Sequence, residues 1–518
     1  MLGHSSLHEI HLVHKRVPSK DHAPLLDREG NSARLQNGMG QEGTNPSWRL
    51  SLPHVCVATL TSFLFGYHMG VVNEPLESIA YDLGFAENTL AEGLVVSLCL
   101  GGAFIGCLVS GWIADGIGRR RAFQLSALPM IIGASMSGHT KFRRNPSSCI
   151  CSATTKDLDG MLLGRFLVGT GMGLGPAIAS LYVAEVSPSF VRGTYGSFVQ
   201  IATCLGLIGA LFIGIPSKEV LGWWRICFWV SAIPAALLAL GMEFCAESPA
   251  WLYKKGQCGE AEAAFERLLG ASHAKSAVAE LSRSDKGDDI ESLRFSDLLY
   301  GRHFRVVLTG SVLYAFQQLS GINAVFYFST FVFKSAGLSA DVGNTCVGFI
   351  NLAESRSTLS RAIFSGSIIA MLLMDKLGRK VLLLGSFLGM AVAMGFQVMA
   401  ASFNLPGSGT LYLSVGGILL FVLTFAMGAG PVPGLLLPEI LPNRIRAKAM
   451  AICMSVHWVV NFFVGLLFLR LLEQLGPQLL YSIFGTFCLL AVIFVKRNVI
   501  ETKGKSLQEI EIALLTSE

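Results

Sequence analysis

Twelve stretches of roughly 20 mostly apolar residues recur along the chain. Each is long enough to cross the ~30 Å hydrocarbon core of a bilayer as a helix. They fall near residues 55–75, 92–113, 122–138, 160–183, 195–215, 223–244, 304–333, 343–374, 381–402, 411–436, 448–472 and 478–495. Charged residues make up 14% of the 518 positions, where a soluble domain carries about a quarter. That is too little charge to cover a water-facing surface, so the bilayer is the natural solvent. The 56 glycines suit helices packed closely in lipid through small residues. Length alone would suggest three or four soluble domains; the apolar pattern gives two membrane halves instead.

The polar segments organise the rest. Residues 1–54 form a polar tail without the apolar core of a secretory signal, so the first span is expected to target the membrane itself. Glu9, Asp21, Asp27, Glu29 and Glu42 make this tail a weak transit peptide. Residues 55–246 hold six spans, 247–303 a mixed-charge connector with helical patterning at Ala261–Leu269, 304–497 six more spans, and 498–518 a short tail. The net charge of +5 sits in clusters between spans, which argues against nucleic acid and for a positive cytoplasmic side. Arg119, Arg120 and Arg121, then Arg192, then Lys254 and Lys255 alternate with the spans, as do Arg379 and Lys380, Arg444, Arg446 and Lys448, and Lys496 and Arg497. All fall on one side, placing both termini in the cytoplasm or its topological equivalent.

The halves repeat one another. Asp115-Gly-Ile-Gly118-Arg119-Arg120 recurs as Asp375-Lys-Leu-Gly378-Arg379-Lys380, an offset of 375 − 115 = 260. Glu185 with Arg192 recurs as Glu439 with Arg446, and Glu247 as Glu501, both offset by 254 (439 − 185 and 501 − 247). Internal duplication with a site between the repeats is a transporter pattern. The twelve cysteines lie mostly within apolar runs, with Cys149 and Cys151 the one close pair, and no metal-ligand spacing occurs. No cofactor or metal is expected, and the absence of a nucleotide loop or nucleophile triad makes an enzyme unlikely on sequence grounds.

These motifs carry a resemblance. Asp115–Arg120, Gly164-Arg165-Phe-Leu-Val-Gly169, Glu185-Val-Ser-Pro188 with Arg192-Gly193, Glu247-Ser-Pro249, Gln317-Gln318-Leu-Ser-Gly-Ile-Asn323, Gly430-Pro-Val-Pro433 and Glu501-Thr-Lys-Gly504 occur in order. Over about residues 50–500 the chain resembles the sugar porters of the major facilitator superfamily, within them most closely the plant plastidic glucose transporter-like branch. The resemblance implies an all-α membrane protein, the major facilitator fold, with twelve transmembrane helices in two pseudo-symmetric halves. It further implies alternating-access transport of a hexose, a glucose-like sugar, with the plastid envelope as one location. The partners would then be the sugar and the lipid bilayer.

Charged residues at the cytoplasmic helix ends read as a gate that pairs across the halves and must break in each cycle. In water such pairs contribute about 0–1 kcal/mol each. The gating candidates are Asp115, Arg119, Arg120, Glu185, Arg192, Glu247, Asp375, Arg379, Glu439 and Arg446. Arg165 joins them because a charge inside an apolar span is costly and usually functional. Ala250 stands where the family has Arg three residues after Glu247, which loosens that corner.

A hexose is uncharged and rich in hydroxyls, and Gln and Asn carry donor and acceptor in one group without a titrating charge. Gln200, Gln317, Gln318, Asn323, Asn351 and Asn461 all lie within apolar runs. The plainer reading of such amides is interhelical glue worth about 0.6 kcal/mol. The resemblance favours sugar contact for Gln200, Gln317, Gln318, Asn323 and Asn351, with Trp458 and Asn461 as a further pair. Phe326 and Tyr327 suit either sugar stacking or core packing. Gly434, Ala426 and His457 stand where many hexose facilitators have Trp, Glu and Asn, so the second half offers fewer contacts.

His68 occupies the place of an Asp in proton-coupled porters and of a neutral residue in facilitators. Its reference pKa near 6.5 is easily moved, and uniport is the reading preferred over proton symport; a non-transporting sugar sensor is the alternative of another class. Two segments are foreign to the family pattern, 138–152 and 353–364. From Asn351 to Asp375 is 24 residues (375 − 351), about 36 Å of helix. That exceeds the ~30 Å core, so 353–364 is expected to be a retained intron or splice variant that leaves the chain transporting poorly or misfolded; the alternative is a loop into a water-filled cavity, which lipid-exposed backbone could not form.

Overall fold

The computed structural model describes residues 47–86, 88–139, 157–188, 191–214, 222–285, 304–325, 327–328, 377–403, 409–441 and 446–503. Among these residues there is helix and turn but no strand. Helix α1 (Trp48–Gly70) starts before the first apolar run and stops at Gly70. Val71–Pro75 then turns, and Pro75 has no N–H with which to continue the helix. A short helix that the pattern of spans did not suggest, α2 (Leu76–Leu83), follows and is closed by Gly84 at φ 75°. Next come α3 (Thr89–Ile117), capped by the Asn88 side chain accepting from Ala91 N, and α4 (Arg119–His139). After them lie α5 (Asp157–Val186), α6 (Arg192–Gly214) and α7 (Trp224–Phe244).

The connector forms α8 (Pro249–Lys254), α9 (Cys258–Leu269) and α10 (Ala271–Asp285). Helix α9 buries Ala261, Ala264, Phe265 and Leu268, the i, i+3, i+4, i+7 stripe of an amphipathic helix. Then come α11 (Phe304–Leu319), α12 (Arg379–Ser402) and α13 (Gly409–Thr424). A π-turn (Phe425–Ala429) joins α13 to α14 (Pro431–Ile440). The last element, α15 (Arg446–Asn498), breaks at Gly476 (φ 75°) just before Pro477, between the runs expected at 448–472 and 478–495.

Seven helices among the described residues are long and apolar enough to cross a membrane. Each expected run except 343–374 carries helix; that run, with Asn351, the segment 353–364 and Asp375, lies outside the described residues. Of the segment 138–152, Gly138 and His139 finish α4 and the remainder lies outside them too.

Close backbone contact organises the bundle. Helix α3 packs on α5 and α15, α4 on α5 and α7, α1 on α6, and α12 on α13 and α15. Gly102 and Gly106 of α3 face Gly169 and Gly173 of α5. A Cβ at Gly169 would lie 1.9 Å from the Cys99 carbonyl oxygen, and one at Gly102 2.1 Å from that of Phe166. Only residues without a side chain allow helices this near, and in lipid such packing replaces the hydrophobic drive of water. The outer faces carry exposed apolar residues such as Ile233, Leu240 and Phe244, which suit contact with lipid chains.

Candidate transport site and gate

Two polar regions emerge, one at the expected cytoplasmic helix ends and one deeper. At the ends, Gly118 (φ 94°) places the first residues of α4 against the Glu247 carboxylate. That carboxylate accepts from Arg119 N at 2.9 Å, from Arg120 N at 3.1 Å and from Ser248 N at 2.8 Å. The four leading N–H groups of a helix have no partner inside it, and its N-terminus attracts negative charge. Glu247 is therefore a helix cap delivered from 128 residues away (247 − 119). Burial pushes its carboxyl above the usual range, opposed by these backbone donors and by the Arg119 charge.

The Arg119 guanidinium itself grips Glu185 with Nε and Nη2, both at 3.0 Å, and reaches Asp115 at 3.0 Å and the Ala114 carbonyl at 3.1 Å. Arg120 turns outward to Glu243, which also accepts from Gln124 at 2.8 Å. The second corner repeats the first. Gly378 (φ 90°) leads into α12, and Glu501 accepts from Arg379 N at 2.9 Å and Lys380 N at 3.0 Å. Arg379 Nη2 pairs with Glu439 at 2.9 Å, and Thr502 donates to the other Glu439 oxygen at 2.6 Å. At both glycines a Cβ would come within 2.5 Å of the capping carboxylate.

These contacts correct the expected pairing across the halves. Each described gate contact joins elements of one half: α3, α4, α5, α7 and the α7–α8 link in the first, α12, α14 and the residues just after α15 in the second. Arg192 and Arg446 begin α6 and α15. Arg165 stands apart, 20 residues before Glu185 along α5, about 30 Å of helix. It is buried, its Nε donating to Val95 O at 3.1 Å and its guanidinium 6.0 Å from the Phe228 ring centre. His68 of α1 is buried beside it, with Arg165 Nη2 3.5 Å from the His68 carbonyl oxygen. Among the described residues, neither His68 ring nitrogen nor Arg165 Nη1 has a hydrogen-bond partner.

The deeper region gathers the amides. Helix α11 ends at Leu319, Gly321 turns at φ 87°, and helix resumes at residues 322–325. That break brings Asn323 back to Gln318, whose Oε1 accepts from Asn323 Nδ2. Gln318 Nε2 donates to Gln317 Oε1 at 3.3 Å and lies 3.0 Å from His457 Nδ1 of α15. An amide nitrogen only donates, so the imidazole accepts there and carries its proton on Nε2. Gln317 spends its own amide hydrogens on the Ala429 and Gly430 carbonyls, at 2.6 and 3.2 Å. Asn461 pairs with Tyr327 Oη, and Trp458 packs edge-on against Phe65 of α1 at 5.9 Å. Gln200 lies on α6, within its described backbone, and Asn351 outside the described residues.

A sequence profile of the family "Sugar (and other) transporter" matches residues 54–514. The chain belongs to the sugar transporter family. It is 66% identical over 507 residues to "Probable plastidic glucose transporter 2" of Arabidopsis thaliana, covering 97% of both chains. The "D-xylose-proton symporter" of Escherichia coli is 32% identical over 484 residues, covering 88% of this chain and 94% of that one. Among solved structures, the major facilitator superfamily proton:xylose symporter XylE bound to 6-bromo-6-deoxy-D-glucose superposes with a TM-score of 0.72 at 30% identity. It covers 90% of this chain and 99% of that one. The transporter therefore has the twelve-helix major facilitator fold and is a multi-pass membrane protein.

Several polar residues of this sugar transporter escaped the reading of motifs. Glu243 sits in the last turn of an apolar span, where an acidic residue is itself a signal. Ser386 and Gln397 of α12 bond to Thr424 and Ser414; neither serine nor a single glutamine stands out within a helix. Asp82 of α2 accepts from Trp224 Nε1 at 2.9 Å and pairs with Arg225 at 3.5 Å, in an element too short to be read as a span.

Proposed function

We propose that this chain carries a glucose-like hexose across the plastid envelope by facilitated alternating access. Two pseudo-symmetric halves, 55–246 and 304–497, enclose the site. The observation that carries the reading is the chain of neutral amides from Asn323 through Gln318 to Gln317 and His457, donors and acceptors matched to hydroxyls and free of fixed charge. The similarity to the probable plastidic glucose transporter 2 of Arabidopsis thaliana supports both the sugar and the membrane. Gln318 and Asn323 are the central ligands, with Trp458 and Asn461 as a further pair; Gln200 and Asn351 are added as sugar contacts on the family resemblance alone. The two Glu–helix caps with Arg119–Glu185 and Arg379–Glu439 form the cytoplasmic latch of each half.

Coupling to protons is the second reading, motivated by the D-xylose-proton symporter among the relatives and by His68. Uniport is favoured because no carboxylate among the described residues pairs with the buried His68 and Arg165. Purified protein in proteoliposomes should bring labelled glucose to equilibrium without accumulation, with and without a pH gradient. Accumulation only when the outside is acidic would establish symport, and no glucose entry at all would end the transport reading.

The site makes a second prediction. Gln318→Ala and Asn323→Ala each remove a hydrogen bond to a neutral hydroxyl, worth about 0.5–1.5 kcal/mol. Apparent glucose affinity should fall from a few-fold to about tenfold at matched membrane levels. Unchanged affinity in both variants would leave these amides as helix packing.

A further inference from the structure

The two halves touch at the end of α3 opposite its gate residue Asp115. There Thr89 Oγ1 donates to Glu473 of α15 at 3.0 Å. One turn further, a Cβ at Gly93 would lie 2.4 Å from the Leu466 carbonyl oxygen, and one at Gly465 would meet Leu100 and Ser97 at 3.5 and 3.7 Å. With the basic clusters marking the cytoplasmic side, this seam lies on the other one. Glu92 borders it, in the first turn of α3. The residue is 7% exposed, yet among the described residues its carboxylate has no hydrogen bond and no ion pair. The Asn88 side chain beside it is taken up by Ala91 N. The charged groups that face Glu92 are both acidic, Glu77 of α2 in its own half and Glu473 of α15 in the other, and both are exposed.

We propose that Glu92 is a proton-sensitive residue of the non-cytoplasmic seam, taking up a proton when α3 and α15 close and returning it to the same side when they part. This rests on the sugar-transport reading above. Burying an unpaired carboxylate costs far more than burying the neutral acid, and two like charges nearby add to that cost. The positive end of α3 favours the charged form, but that effect is small and confined to the first turn. The closed seam therefore holds Glu92 as the acid. When the halves separate, Glu473 leaves with the second half, water reaches Glu92, and the carboxylate forms. One proton binds on closing and one is released on opening, both exchanged with the non-cytoplasmic solution. No proton crosses the membrane, so acid slows the cycle by holding the seam shut without driving accumulation.

The full chain is tested in proteoliposomes, with the same pH inside and outside, and in detergent. From about pH 8 to about pH 5 the maximal glucose uptake rate of the wild type should fall about threefold or more. Glu92→Gln keeps the size of the side chain without its charge, so its rate should stay near the acid value throughout. Glu473→Gln leaves Thr89 an acceptor but removes one facing charge, so acid inhibition should set in at a lower pH. In detergent, Glu92→Gln should melt above the wild type at about pH 8, and the gap should close toward about pH 5 as Glu92 takes up its proton. A pH-sensitive dye inside the vesicles should report no acidification as glucose enters. Identical pH profiles for the wild type and Glu92→Gln, or acidification with glucose entry that Glu92→Gln abolishes, would overturn the proposal. Should Glu92→Gln fail to fold, an unshifted profile in Glu473→Gln overturns it equally. Wild-type protein that takes up no glucose refutes the transport reading alone, since the melting comparison still judges Glu92.

Discussion

Gly169→Ala should leave little folded protein in the membrane, whereas Gly111→Ala should be tolerated. The added Cβ at Gly169 would sit 1.9 Å from the Cys99 carbonyl oxygen, with the Cys99 carbonyl carbon and Cα also within 3 Å. All three atoms belong to backbone, so no rotamer change relieves the clash and α3 must move away from α5. Overpacking a well-filled core costs about 1–3 kcal/mol, and forcing two helix backbones apart belongs at or above the top of that range. Neighbouring contacts at Gly102, Gly106 and Gly173 would open with it. Gly111 lies on the same α3 but has nothing within 4 Å of its Cβ position. Alanine there should be neutral or slightly stabilising, since glycine weakens a helix interior by about 0.5–1 kcal/mol. Melting temperature in detergent and the amount in the membrane fraction check the pair. Equal behaviour of the two variants would mean that the α3–α5 approach is not what holds the first half together.

Arg119→Leu should cost more than Arg379→Leu, although the two arginines are repeats of one another. The Arg119 and Glu185 side chains are 5% and 14% exposed, against 20% and 31% for Arg379 and Glu439. Removing one partner of a buried pair costs about 3–5 kcal/mol, because the other charge is left without compensation. Better-hydrated pairs fall toward the range of surface bridges, about 0–1 kcal/mol. Thermal stability should therefore drop sharply for Arg119→Leu and modestly for Arg379→Leu, and uptake should follow. The double variant Arg119→Leu/Glu185→Leu should regain much of the loss. Identical destabilisation by the two single variants would show that burial does not set the difference between the corners.

The spans were readable because lipid imposes one requirement on every residue within them, and the apolar runs record it directly. The register of Glu185 and Glu247 with their repeats Glu439 and Glu501 was equally plain. Their partners were not. A glutamate just past the end of an apolar span resembles half of a side-chain ion pair, but Glu247 and Glu501 bind backbone N–H groups that sequence does not display. The hint lay in Gly118 and Gly378, since a glycine just before a helix signals an entry that an ordinary residue resists. Likewise, six intramembrane amides looked alike in sequence. Gln317 alone donates to the Ala429 and Gly430 carbonyls beside Pro431 and Pro433, a contact between helices that sequence does not display. Helix α2 was missed because eight residues cannot span a bilayer, so nothing in the search for spans selected it.

The helix caps at the two corners also bear on how the protein meets changes in ionic strength. At about 0.15 M electrolyte, exposed charges are screened beyond about 8 Å and their pairs weaken as concentration rises. Arg120 and Glu243, 31% and 61% exposed, are subject to that loss. Glu247 and Glu501 hold backbone amides at hydrogen-bond distance at the start of α4 and α12, where mobile ions have little room to intervene. As the surrounding solution becomes more concentrated, the outer pair loosens first and the cap at each helix end keeps its hold, so these helix ends retain their arrangement while their surface charge is muted.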